Sequence, residues 1–250
     1  MNSLKFKTCL LAVSAVVIFS STTRAAGPAS YDWTGWYVGA HVGYGFGSGK
    51  TDFTPLPSAA TFFDLAPTSL SPNPEGVIGG GQFGINIQRG CFVLGMETDI
   101  SGSAMEGTKE LSPIIGITGL ATPGVLRSHE HIHWFGTVRP RLGYTVTPTV
   151  LLYGTGGLAY GNEYYSANSR GLFEQYPASV SDTKVGWTAG AGVEYAIGRC
   201  WSVKAEYLYC DLGHDSAIAS PIPSLPPFQI GYRWETTFHT INVGFNYKFQ

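Results

Sequence analysis

Nine residues near the end of the chain read Ile241-Asn-Val-Gly-Phe-Asn-Tyr-Lys-Phe249. Every odd position in it is apolar or aromatic, and every even position is small or polar. Alternation with a period of two predicts a β-strand with one apolar and one polar face. The pattern recurs in seven earlier segments and predicts eight amphipathic strands, at residues 33–47, 77–88, 92–103, 131–144, 150–161, 184–196, 202–209 and 236–249.

The apolar faces of these strands have little else to pack against. Charged residues make up only 13% of the chain, and beyond the N-terminus no apolar run approaches the ~20 residues that a membrane helix needs. A sheet closed on itself pairs all its backbone groups while it faces lipid outside and polar side chains inside. The sequence therefore predicts an all-β fold, an eight-stranded antiparallel transmembrane β-barrel.

The connections between the predicted strands alternate between long and short. Short turns are predicted at 88–91, 145–149 and 197–201, and long loops at 49–75, 104–130, 162–182 and 211–234. Four prolines between Pro221 and Pro227 argue against a central strand there. Bacterial outer-membrane barrels have short periplasmic turns and longer external loops, so the four long loops are predicted to be external.

The N-terminus carries an export signal. Lys5 and Lys7 precede an apolar run from Cys9 to Phe19, which small residues follow. This is the pattern of a secretory signal peptide. We therefore predict a signal peptide at residues 1–25 and a barrel domain at 26–250, located in the bacterial outer membrane.

The remaining cysteines do not form an obvious framework. Cys91, Cys200 and Cys210 are an odd number, which argues against a complete set of disulfides in an exported protein. Free cysteines are the better prediction. Acidic residues outnumber basic ones, 17 to 15, and we expect no nucleic-acid partner.

The polar faces of the predicted strands carry both signs of charge. An eight-stranded barrel is just wide enough for its own side chains to fill it, and buried charges are tolerated when they are paired. Two interpretations are open: ion pairs that hold the barrel shut, which the size rule favours, or the selectivity lining of a narrow channel. The predicted lumen residues are Glu97, Asp99, Arg139, Arg141, Lys184, Glu194, Lys204, Glu206 and Lys248.

A second candidate site is the run His129-Glu-His-Ile-His133. Its three histidines alternate along a strand and therefore share a face, which strand parity places inward at the outer mouth of the barrel. Imidazole binds zinc and other transition metals, so a haemin or metal site is one hypothesis. Polar residues at the base of a loop are the alternative, and the chain is predicted to need no cofactor.

Catalytic machinery is not predicted. Asp211, His214 and Asp215 could stand together at the external rim, but no motif supports a hydrolytic role and loop residues of these types are usually solvated. We therefore predict that the protein is not an enzyme.

Three segments resemble a known family. They are Trp33-Thr-Gly-Trp-Tyr-Val-Gly-Ala-His-Val-Gly-Tyr44, Gly136-Thr-Val-Arg-Pro-Arg-Leu-Gly-Tyr144 and Val203-Lys-Ala-Glu-Tyr-Leu-Tyr-Cys-Asp-Leu-Gly213. All are similar to blocks of the small porin-like outer-membrane barrels of alphaproteobacteria, which include surface antigens of Brucella and haemin-binding proteins of Bartonella. The resemblance covers every strand, while the loops carry little of it.

The resemblance implies a structural, surface-exposed protein that supports envelope integrity, with a haemin- or metal-binding surface protein and a narrow porin-like channel as alternatives. The last strand resembles the signal read by the barrel-assembly machinery, through Asn242, Gly244, Tyr247 and Phe249. The expected partners are that machinery, outer-membrane lipid and lipopolysaccharide. Both a monomer and a homo-oligomer remain open.

Overall fold

Eight long strands make up most of the protein. The structure is a computed structural model that describes residues 31–57, 60, 64–115, 118–119, 121–171, 175–222 and 228–249. The predicted signal peptide, residues 1–25, lies outside the described residues. The strands are β1 (Gly35–Pro55), β2 (Glu75–Arg89), β3 (Phe92–Leu111), β4 (Val125–Thr147), β5 (Val150–Arg170), β6 (Gln175–Ala196), β7 (Trp201–Ala219) and β8 (Ile230–Lys248).

Each strand pairs antiparallel with its neighbours in sequence, and the sheet closes on itself. β1 pairs with β8 over its length, from Tyr37 opposite Lys248 to Pro55 opposite Ile230. The predicted all-β, eight-stranded antiparallel ring is thereby confirmed. Short strands at Thr68–Leu70, Ile114–Ile115 and Ala121–Thr122 decorate the loops. Within the described residues, no helix has the length and apolarity to cross a membrane.

The bounds of the predicted external loops need correction. The strands continue far into them, and the connections left between barrel strands are residues 56–74, 112–124, 171–174 and 220–229. The turns at the other end are short, as predicted, and Gly90 with φ 60° makes the left-handed turn between β2 and β3. The lengths of the loops were overestimated because the strands stay paired beyond the membrane, where their apolar residues face inward instead of outward.

One half of the barrel carries its apolar residues on the outside. Trp36, Val42 and Phe46 of β1 are 51%, 58% and 38% exposed. Ten residues separate Trp36 from Phe46, and at ~3.3 Å per residue and a tilt of ~40° they span about 25 Å, the height of the apolar band of a membrane barrel. We call this part, on every strand, the membrane half.

Aromatic residues mark both borders of the membrane half. Near the short turns, Trp36 stacks on Phe83 with ring centroids 5.3 Å apart, and Trp201 lies 4.9 Å from Tyr247. At the other border, the facing rings are those of Trp134 and Tyr160, Trp187 and Tyr209, and Phe46 and His239. Two such girdles are typical of barrels in a bilayer.

Beyond the second girdle the strands form what we call the outer half, in which the faces are reversed. Its outward residues are polar, such as Lys50, Arg233 and Glu235. Its inward residues form an apolar cluster, to which Phe53, Leu126, Tyr165, Tyr176, Tyr232 and Trp234 contribute with at most 1% exposure. The outer half therefore has an ordinary hydrophobic core, and it extends about 20 Å beyond the apolar band.

Bulges occur where the two halves meet. The β4–β5 register shifts between Ile132 and Trp134, and the β7–β8 register shifts between Asp211 and His214. Gly213, with φ 83°, lies inside the second bulge. A bulge inserts one residue into a strand and reverses the parity of the residues that follow it. It thus decides which side chains of β4 and β7 face outward in the outer half.

Candidate functional site

The centre of the lumen holds a buried ionic cluster. Arg139 and Arg141 on β4 and Lys204 on β7 meet four carboxylates, from Glu97, Asp99, Glu194 and Glu206. All seven side chains are at most 6% exposed. The strands place them there because each lies on the inward face of the membrane half, whose outward face is apolar.

Glu97 is the hub of this cluster. Its Oε1 accepts hydrogen bonds from Arg139 Nη2 and Lys204 Nζ, both at 2.9 Å. Its Oε2 accepts from Arg141 Nη1 at 3.3 Å and from the Tyr37 hydroxyl at 2.7 Å. Arg139 lies opposite Glu97 in the β3–β4 register, whereas Lys204 reaches it from the other side of the lumen.

The remaining carboxylates complete the cluster. Arg139 Nη2 also donates to Asp99 at 2.8 Å and to Glu206 at 3.2 Å, and Arg141 Nη2 donates to Glu194 at 2.7 Å. Charged hydrogen bonds of this kind are the strong ones. Four carboxylates thus face three cations, and Lys204 lies 3.7 Å from Glu206 as well.

Tyr37 and Tyr153, which sequence analysis did not identify as site residues, line the ionic cluster. The Tyr153 hydroxyl donates to Glu206 at 3.0 Å, and the guanidinium of Arg141 lies 3.9 Å from the Tyr153 ring centre. A Cβ on Gly84 or Gly192 would come within 2.4–2.5 Å of the tyrosine ring beside it. These inward glycines therefore leave the space that Tyr37 and Tyr153 need to lean across the lumen.

Lys184 and Lys248, two of the predicted lumen residues, lie outside the ionic cluster. Lys184 pairs with Asp215 at 2.7 Å near the outer border, because it is ten residues from Glu194 along β6, or about 33 Å. Lys248 lies at the periplasmic end, 4.5 Å from the Tyr31 ring centre. Gly244 is the β8 residue opposite Lys204, so Lys248 is four residues too far down the strand.

The lumen is filled above and below the ionic cluster. On the periplasmic side, Tyr31, Trp33, Val93 and Leu151 form an apolar layer. On the outer side lies a second layer, in which Phe135 and Phe238 are edge to face at 5.1 Å. The cavity beside Arg139 and His41 offers about 10 Å³ of water-accessible space, room for about one water molecule.

Two buried acids, Glu130 and Glu163, lie closer to the external end of the barrel, inside the outer half. The Tyr165 hydroxyl bridges Glu163 and the Thr236 hydroxyl, and Thr236 in turn donates to Glu130. Burial raises the pKa of Glu163 to about 7 and that of Glu130 to about 8. Sequence analysis missed both residues because it assigned residues 104–130 and 162–182 to loops.

The prediction that His129, His131 and His133 face the lumen is wrong. Their neighbours Ser128, Glu130 and Ile132 are buried, and the three histidines point to the outer surface. The bulge at His133 reverses the parity that Arg139 and Arg141 set further along β4. The groove beside His129 is lined by the polar residues Arg127, Ser166 and Asn168.

The residues of the predicted assembly signal divide between the two faces of β8. Asn242 and Gly244 are buried in the lumen. Tyr247 and Phe249 belong to the periplasmic girdle, with ring centroids 5.4 Å apart. Their recognition by the assembly machinery stays a prediction.

The three described cysteines are free: Cys91 is exposed, Cys200 is half-buried and Cys210 is buried. Cys91 and Cys200 lie at separate short turns. The Cys210 thiol lies 3.3 Å from the Thr188 hydroxyl oxygen, inside the second apolar layer.

Comparisons with known proteins find outer-membrane proteins. The family model described as "Outer membrane protein beta-barrel domain" matches residues 11–249. A 31 kDa outer-membrane immunogenic protein of Brucella melitensis is 38% identical over 98% of this chain and 95% of its own length. A 25 kDa outer-membrane immunogenic protein of Brucella abortus is 28% identical over 97% of this chain and 98% of its own length.

Among solved structures, the outer-membrane protease OmpT of Escherichia coli superposes with a TM-score of 0.48 at 12% identity, over 85% of this chain and 97% of its own. At this identity and score, nothing about chemistry follows from the likeness.

Proposed function

Since the chain belongs to the family of outer membrane protein beta-barrel domains, we propose that it is a closed structural barrel that supports the envelope and displays its outer half to the surroundings. The observation that carries this proposal is the filled lumen. Packed side chains close the barrel at the periplasmic layer, at the ionic cluster around Glu97 and Arg139, and at the layer of Phe135 and Phe238. A channel would need a continuous aqueous path past all three.

Conductance in planar bilayers tests the closed barrel against the channel. We expect refolded protein that migrates as a heat-modifiable band to give no steady current steps, while a wide porin in the same bilayers conducts. Replacing Phe135 and Phe238 together with alanine should leave the barrel silent, because the ionic and periplasmic layers remain. Steady steps from the wild-type protein would overturn the proposal.

A structural role also accounts for the acids and histidine at the outer rim. Asp215 pairs with Lys184 at 2.7 Å, and Asp211 accepts a hydrogen bond from the backbone of Gly213 at 2.9 Å. Asp215 thus links β7 to β6, Asp211 stabilises the bulge at Gly213, and His214 faces outward, away from Asp215. This supports a protein without catalytic activity.

Display of the outer half can be tested on intact cells. Ser216 is exposed on the outward face of β7, so Ser216→Cys should react with a bulky, membrane-impermeant maleimide added to whole cells. Cys91, exposed at a short periplasmic turn, serves as the internal control and should react only after the outer membrane is opened. Labelling of Cys91 on intact cells, without labelling of the thiol introduced by Ser216→Cys, would reverse the orientation.

The same proposal assigns the protein its partners. The apolar band would contact outer-membrane lipid, the polar wall above it the sugars of lipopolysaccharide, and the C-terminal strand the barrel-assembly machinery. Phe249→Ala should slow assembly in cells, whereas Phe92→Ala, in the same girdle and of similar exposure (60% against 48%), should not. Equal effects would remove the special role of the last strand.

Deletion in the source bacterium tests the envelope role. We expect greater sensitivity to detergents, restored by the wild-type gene. Unchanged sensitivity would contradict it.

A further inference from the structure

The histidines on the outer wall have no part in closing the lumen. His131 and His133 alternate with the buried Ile132 on β4 and so extend from the same face. His131 Nδ1 lies 3.4 Å from His133 Nε2, and the two rings are nearly perpendicular, at 85°. Two imidazole nitrogens are therefore held together at an open surface, directly before the girdle residue Trp134.

The two ring nitrogens lie within hydrogen-bond distance of each other, and their separation can be compared with the spacing of two ligands on one metal ion. Two nitrogens bound at 2.0–2.1 Å to one tetrahedral zinc ion lie about 3.3–3.4 Å apart. Ligands at right angles, as in square-planar or octahedral sites, lie about 2.8–3.0 Å apart at the same bond lengths. The observed 3.4 Å matches the tetrahedral case. On this basis we propose that His131 and His133 form a surface Zn²⁺ site on the outer wall of the barrel, in the part exposed to the outside.

A third ligand stands on the neighbouring strand. Glu106 of β3 is the register partner of His131, and residues directly opposite in a sheet have Cβ atoms about 4.5–5.5 Å apart. Its side chain is exposed, so it can turn toward the pair without disturbing a packed core. Among the described residues no three such side chains already surround one point; the ion is therefore held by two imidazoles at first, with Glu106 and water in the remaining positions.

His129 is excluded from the site although it shares the outward face. Its Nδ1 is 2.9 Å from the hydroxyl of Thr108, and its ring faces Tyr164 with centroids 6.5 Å apart. It therefore provides a matched control, the same residue type on the same strand and face.

Calorimetric titration with ZnCl₂ tests the site. The protein is the refolded barrel without an affinity tag, and Cys91 and Cys200 are replaced by serine in every variant because thiolates also bind zinc. We expect one Zn²⁺ per chain. His131→Gln and His133→Gln should each weaken binding at least tenfold, and Glu106→Gln by a smaller factor, while His129→Gln leaves binding unchanged.

Cobalt provides a readout of geometry in the same variants. Co²⁺ at a tetrahedral site absorbs visible light far more strongly than Co²⁺ in six-coordinate surroundings, so intense bands are expected that vanish in His131→Gln/His133→Gln. These side chains lie on the outward face and none of them is buried, so heat-modifiable migration should be retained in each variant. Zinc binding that is equal in the wild-type and double-variant proteins, or only weak cobalt bands, would overturn the proposal.

Discussion

The two halves of the barrel are built from the same strands but place their apolar residues on opposite faces. In the membrane half, Val243 of β8 is 51% exposed and faces outward, while Asn242 and Asn246 face the lumen. In the outer half of the same strand, Trp234 is 1% exposed and faces inward, while Arg233 and Glu235 face out. The pairing of β8 with β1 continues without a register shift from one half to the other.

The difference shows that the solvent decides which face is apolar. In lipid, outward apolar side chains are favoured and the charged side chains pair inside the barrel. In water, buried apolar side chains are favoured, so the outer half buries Trp234, Tyr232 and Phe53 as a soluble β-protein would.

Removing a central charge should damage the membrane half most. Arg139→Met keeps the volume but leaves Glu97, Asp99 and Glu206 without the guanidinium that joins them. Breaking a buried pair from one side costs about 3–5 kcal/mol. Urea unfolding in lipid vesicles should show this loss. Lys50→Met, which removes an exposed pair with Asp52, should cost far less because water screens an exposed ion pair, and equal losses would mean that the lumen charges are solvated.

The outer half should be equally sensitive to loss of an aromatic side chain. Trp234 stacks on Tyr165 and Tyr232 at 5.5 and 5.7 Å. Trp234→Ala should cost about 3–5 kcal/mol through lost burial and the cavity left behind. Protease digestion of the folded barrel should then cut the outer half first. A variant as resistant as the wild type would contradict a packed outer core.

Arginine substitution along the outward face of β8 should locate the border between lipid and water. Val243→Arg places a charge in the apolar band, at a cost of about 2–4 kcal/mol near the bilayer midplane. Glu235→Arg, on the same face of the same strand, should cost at most about 1 kcal/mol, through loss of the exposed pair with Arg233. Similar values at the two positions, measured in vesicles, would remove the contrast.

The buried acid of the outer half should make stability depend on pH. The pKa of Glu163 rises to about 7 in the folded protein from an ordinary value of 4.5 because of burial, so the folded state holds this proton more tightly than the unfolded state. The stability that the proton confers is present below pH 4.5 and is lost as pH rises to about 7, on the order of 3 kcal/mol. Glu130, whose pKa burial raises to about 8, adds a pH dependence of the same sign. Glu163→Gln should therefore reduce the slope of the unfolding free energy against pH between pH 4.5 and 7 without removing it; an unaltered slope would show that Glu163 does not titrate there.

Sequence predicts the membrane half well because its pattern is strong and local. The odd-position apolar residues from Ile241 to Phe249 all face outward, and the short turn at Gly90 fixes the register of β2 and β3. Ion pairs between neighbouring strands, such as Glu97 with Arg139, can be predicted from the order of the strands. The contact between Lys204 and Glu97 does not, because it crosses the closed lumen between strands that are not paired.

The outer half was missed for a reason visible in β8. Ile230, Tyr232, Trp234 and Phe238 alternate as regularly as the residues after them, but on even positions. The change of phase before Ile241, with no turn residue between, is the signal of a strand that leaves the membrane. On β4 no such signal exists, because the inward residues Ser128 and Glu130 are polar and the bulge at His133 has no sequence mark.

Site-directed spin labelling along β8 distinguishes an outer barrel wall from a loop. Single labels at each position from 230 to 248, in vesicles, report collisions with oxygen from the lipid and with a nickel chelate from water. We expect oxygen access at 241, 243 and 245, nickel access at 233, 235 and 237, and access to neither at the even positions. Mobile, water-accessible labels at every position from 230 to 238 would show a loop instead of an outer barrel and would contradict the account.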